Sequence, residues 1–306
     1  MSDTTPPERG VSLTPGVHPD VLKDPLGDCR LLREVSIRVV LDTMDGRVQD
    51  DPRHLLVLAS WTRGTSTFAG ILELAELGYG PQALMLGRSL FEDAEVATWL
   101  VALDNDDELR ALWEEHFDLQ NLRIVGMDPE ASHTLDGERA AELAAKFNDP
   151  RNQGFQWTRA SSHVRRKEIR DALPRLPILE TVSLGLDTLA ERHVIWAHAM
   201  LHNSPWGHAE VLGQLIHPSG DLVAGTGASG TRVPLALELA FYSFAIATHS
   251  MLALQNAEAV TEWLTAIAEP YAALRDGLPA LIDDENSRRD RLQAERVPIE
   301  RVIEEG

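Results

Sequence analysis

The segment that most restricts the fold is residues 81–103, PQALMLGRSLFEDAEVATWLVAL, a helix with charge on a face that should be buried. At about 100° per residue, Arg88, Glu92, Glu95 and Trp99 share one side with Leu84, Met85 and Phe91. The opposite side carries Leu86, Leu90, Ala97 and Val101. A helix apolar on nearly all sides belongs at the centre of a bundle. An arginine and two glutamates inside it must pair or hold a bound group, because an unpaired buried charge is costly. The expectation is therefore a guanidinium at position 88 lying in the interior. Glu92, Glu95 and imidazoles from another helix, His198 and His202, would neutralise it.

The neighbours of this helix set its surroundings. Residues 54–77 form a second long helix with small residues at its middle (Ala59, Gly64, Ser66, Ala69, Gly70), which allow close contact. Gly78 and Gly80 end it, and Pro81 opens the next helix at its first turn. So short a link makes the two helices antiparallel. Further helical patterns cover 28–43, 106–124, 137–148, 184–203, 234–255, 257–267 and 270–282. The acidic run 104–110 lacks the glycine and distal glutamate of a calcium loop. It reads as a turn, with Asn105 and Glu108 forming a capping box. Residues 213–232 carry Gly and Pro signals that suit one small β-hairpin. No strand series alternates with the helices, so the fold class is all-α: a single-domain helical bundle with long antiparallel central helices. Residues 1–27 read as a flexible N-terminal arm, 28–283 as the helical domain and 284–306 as a charged tail.

The formal net charge of −20 disfavours nonspecific binding to nucleic acid or to an anionic membrane, since both need a positive field. The single Cys29 excludes an intramolecular disulfide and a cysteine-rich metal site. No 18-residue apolar run is found, so no transmembrane helix is expected. MSDTTPPERG has neither the basic start nor the apolar core of a signal peptide, and a cytoplasmic location is expected. Of 28 basic side chains only Lys23, Lys146 and Lys167 are lysines, a skew that points to a GC-rich bacterial genome.

Three groups of residues invite a chemical reading. The first is the basic cluster Arg159, Arg165, Arg166, Lys167, Arg170 and Arg175, offset only by Glu168 and Asp171. It is either a phosphate or RNA patch or, as favoured here, a helix face that pairs with acidic neighbours. The second is LAERHVIWAHAMLHNSPWGH, residues 189–208. His198 and His202 stand four apart on one face, with Glu191 and Ile195. A metal would need a third ligand. Neither the Glu-x-x-His of di-iron bundles nor HExxH occurs, so no metal and no cofactor is expected. The third, Gly225 to Gly230, has the GxGxxG spacing. No βαβ unit surrounds it, and it reads as a glycine-rich turn. There is no GxSxG elbow and no P-loop.

Two resemblances follow from these residues. Arg192 and His198 fit Arg-x5-His, which resembles the motif of HEPN-type helical ribonucleases. That likeness implies His198 as base, Arg192 as phosphate partner and a homodimer cleft. The ends ELAELGYGPQALMLGRSLFEDAEVATWL and HAMLHNS, with the apolar helix near 234–255, resemble the domain-of-unknown-function 5677 family of helical bacterial proteins. Arg88 and Glu92 match its Arg-Ser-Leu-x-Glu helix. His202 and Ser204 match its His-x-Ser helix end. The likeness covers roughly residues 50–255 and implies a helical fold with no established activity. The leading expectation is a binding or scaffold-type protein. Its Arg88, Glu92, Glu95, His198, His202 and Ser204 would fix helix register or hold a small anionic ligand.

Overall fold

The computed structural model describes residues 19–44, 51–103, 113–118, 161–172, 186–201 and 230–294, with single helical positions elsewhere between 109 and 145. Among the described residues every regular element is a helix, and no strand occurs. The longer elements are α1 (Lys23–Thr43), α2 (Pro52–Glu76), α3 (Gly80–Ala102) and α4 (Ser162–Asp171). A short α5 (Leu186–Leu189) runs through a π-helical turn (Ala190–Val194) into α6 (Ile195–Leu201). The chain then forms α7 (Val233–Gln255), α8 (Ala257–Ala266) and α9 (Ala268–Ala294). The readings at 104–108, 202–208 and 225–229, and all of the hairpin before residue 230, lie outside the described residues.

The bundle is built on α2, α3 and α7, which pack on one another. Asp51 caps α2 by accepting from the backbone N–H of Arg53 at 2.8 Å, and Pro52 fills the first turn, where no N–H is needed. Gly78, at φ 79°, turns the chain out of α2. Gly80 then begins α3 hard against the start of α7. A Cβ there would lie 1.9 Å from the Thr231 carbonyl oxygen, so only glycine fits. The Gly230 N–H donates to the Gly78 carbonyl at 2.8 Å and seals the junction. Further along, Phe68 stacks on Phe244 at 4.5 Å, tying α2 to α7. Gly64 admits Leu90, and Gly87 admits Leu239.

The most enclosed helix is α7, not α3. Every residue from Val233 to Leu252 is buried. Two of its buried hydroxyls find partners: Trp61 Nε1 donates to Thr248 Oγ1 at 3.1 Å, and Thr98 and Ser250 share a hydrogen bond at 3.0 Å. By length and composition the helix could cross a membrane, and its apolar window lies wholly inside the bundle.

Two boundaries also move. A 3-10 turn (Pro19–Leu22) leads into α1 at Lys23, so residues 19–27 are helical instead of arm. Leu22 and Leu26, four apart, are buried there and hold the first turn down. At the other end α9 continues past residue 283 to Ala294. Glu285 is buried and accepts from the Arg232 N–H at 2.5 Å.

Candidate functional site

The charged face of α3 divides into two ends. At the upper end Arg88 donates from Nε to Glu92 Oε1 at 3.2 Å, and its Nη2 lies 3.1 Å from the same oxygen. The spacing of four residues brings the two side chains together on one helix face. From the other side α6 delivers His198, whose Nδ1 is 2.8 Å from Arg88 Nη1. A guanidinium has no acceptor, so Nδ1 must accept and the ring proton sits on Nε2. This trio stays partly open, with the Arg88 side chain 21% exposed and Glu92 34% exposed. That corrects the interior position expected for Arg88.

At the lower end Glu95 is fully buried and closed over by α4. Arg165 Nε donates to Glu95 Oε1 at 2.6 Å. Ser162 Oγ donates to Oε2 at 2.5 Å, and Arg166 Nη1 adds a third bond at 3.2 Å. Arg166 also reaches Asp187 Oδ1 of α5 at 2.7 Å, and Arg170 pairs with the same carboxylate. Trp99 Nε1 donates to Glu168 Oε2 at 2.5 Å. Glu95 therefore lies apart from Arg88. Two turns of helix, about 10 Å, separate them, and a different element satisfies the carboxylate. Of the basic cluster, Arg165, Arg166 and Arg170 are matched by acidic partners, whereas Lys167 lies exposed. Their charge is spent on docking α4 and α5 to α3.

His202 and Ser204 lie outside the described residues. Arg192 and His198 are both exposed. Arg192 lies in the π-helical turn and His198 six residues on in α6, so the two do not fall on one face of a regular helix.

Sequence reasoning missed two charged groupings. On the apolar side of α3, Asp93 is 2% exposed and is gripped by Arg63 of α2, whose Nε lies 2.8 and 3.0 Å from its two oxygens. Burial pushes the Asp93 carboxyl up from its ordinary value, although Arg63 pulls it down. An acid among Leu86, Leu90 and Ala97 was the available signal, since a charge on an apolar face demands a partner.

The second grouping surrounds the start of α7. His193, on the π-helical turn, places Nε2 2.9 Å from Glu238 Oε2, off the line a hydrogen bond needs, and both residues are buried. One turn on, Trp196 lies under the Arg232 guanidinium at 4.8 Å. Arg232 itself holds a left-handed φ of 65°, a strained conformation for a side chain of this size. Deeper in α7, His249 is buried with neither ring nitrogen hydrogen-bonded, and burial lowers its pKa from 6.5 to about 4. Burial likewise raises the Cys29 thiol, which leaves it inert.

Set against protein-family models, curated proteins and solved structures, the chain matches none. Among the described residues no three His, Cys, Asp or Glu side chains converge as metal ligands. The chemistry of the site thus rests on its own geometry. Its open part presents a guanidinium held in place by a carboxylate and an imidazole, which can bind and orient an oxyanion.

Proposed function

We propose that this is a helical binding or scaffold-type protein whose Arg88–Glu92–His198 cluster holds a small anionic ligand. The observation that carries this reading is the contrast in closure along one helix face. Glu95 is sealed by three donors, whereas Arg88 is braced from two helices and still meets solvent. A cation fixed in this way has already lost its conformational freedom, so a ligand need not order it. Arg88 and Glu92 are the residues that carry the resemblance to the domain-of-unknown-function 5677 family, and a cytoplasmic setting suits an acidic chain of this kind. Isothermal titration of small oxyanions into wild type and Arg88→Gln tests the reading. Binding to wild type alone supports it, and equal heats in both proteins contradict it.

A second reading, an endoribonuclease using Arg192 and His198, draws on the exposure of both side chains. Their separation on the helix weighs against it. Equal RNA cleavage by wild type and His198→Ala would remove it.

A further inference from the structure

Three helix ends meet at one joint. Thr43, the last residue of α1, bonds through Oγ1 to Gln255 Oε1 at the end of α7. Beside it, the first turn of α2 reaches the same end of α7 through His54. The ring Nε2 is 3.0 Å from the Leu254 carbonyl oxygen, and Nδ1 is 2.7 Å from Asp51 Oδ2. Both partners are acceptors, one a backbone carbonyl and one a carboxylate. Burial would raise the Asp51 carboxyl, but its bonds to the His54 ring and to the Arg53 and His54 backbone N–H groups hold it below its ordinary value. The oxygen facing Nδ1 is therefore ionised and has no proton to give.

A neutral imidazole has one N–H and would turn a lone pair toward one of these oxygens. Satisfying both takes two ring protons, hence an imidazolium. The position suits that charge. The last turn of α7 has no basic residue of its own, and its carbonyl end favours a cation. The other ionisable side chains near the joint are Arg38 and Asp42 on α1, Arg53 on α2, His249 on α7 and Glu258 on α8. Among the described residues only Asp51 bonds to the ring.

We propose that His54 is a proton-operated latch, which ties the start of α2 to the end of α7 when doubly protonated and lets go of Leu254 when it loses one proton. The ring is 20% exposed, so that proton passes to water. The proton that remains stays on Nδ1, because the carboxylate is the stronger acceptor. The Nε2 lone pair then faces the Leu254 carbonyl, and the joint opens there. Acid closes this latch and base opens it.

The test is nitrogen NMR of the His54 ring from about pH 5 to about pH 8, with amide exchange in the last turn of α7 expressed as protection factors. The proteins are wild type, His54→Gln and Asp51→Asn. At the acid end both ring nitrogens of wild type should carry protons. As one leaves, protection in that turn should fall about tenfold, the effect of losing one hydrogen bond to a charged group. His54→Gln keeps an N–H donor but cannot titrate, and should show no such step. Asp51→Asn still caps α2 but lacks the charge, so its step should come at lower pH. A ring with a single proton at the acid end would overturn the latch. So would unchanged protection when the proton leaves, the same step in His54→Gln, or an unmoved step in Asp51→Asn.

Discussion

The two ends of the α3 charged face use the same residue types to opposite effect. At Glu95 the acid is on the central helix and the cations arrive from α4, so the pair is closed on every side. At Arg88 the cation is on the central helix and its partners stand at the rim. Closure makes the first pair a clasp that attaches α4 and α5 to the bundle. Incomplete closure leaves the second pair able to exchange a partner. The lesson is that a charge inside an apolar helix reports a demand for a counter-charge, and depth decides whether that demand is met permanently.

The largest effect should come from breaking the clasp. Arg165→Leu leaves Glu95 buried with fewer donors and should cost about 3 to 5 kcal/mol in urea denaturation. A loss under about 1 kcal/mol would show that the clasp is not closed. Next is acid. His249 has a folded pKa of about 4 against an ordinary 6.5, so the unfolded chain takes up the proton first as pH falls. Stability is therefore lost between those two values, by about 3 kcal/mol at pH 4. His249→Leu should abolish that part of the acid dependence, measured as the difference between the two proteins' denaturation midpoints. Arg88→Gln should cost only about 1 kcal/mol, because the pair it breaks is half open. A loss as large as that of Arg165→Leu would erase the distinction between the ends. Smallest of all, Lys167→Gln should change stability by no more than about 0.5 kcal/mol, since the side chain is exposed.

Much of the fold was legible because helical periodicity is a local signal. The α2–α3 hairpin, its glycine turn and Pro81 could be read directly from spacing. Arg88 with Glu92 was legible for the same reason, four residues on one helix. The partner of Glu95 was not, because nothing local says that the basic run at 165–170 docks on α3 and not elsewhere. Arg63 with Asp93 was hidden for a related reason. Arg63 sits in a helix whose small residues drew attention to packing, and its partner lies 30 residues away. The π-helical turn and the left-handed Arg232 carry no sequence signature, since tertiary contacts impose both. Glu238 is the one acid in the α7 sequence, and only the fold shows His193 beside it.

The most direct test of the open end is nitrogen NMR of the His198 ring, recorded while inorganic phosphate is added. The account predicts a neutral ring protonated on Nε2, with signals that shift saturably in wild type and do not respond in Arg88→Gln. A ring protonated on Nδ1, or signals indifferent to phosphate in wild type, would contradict it.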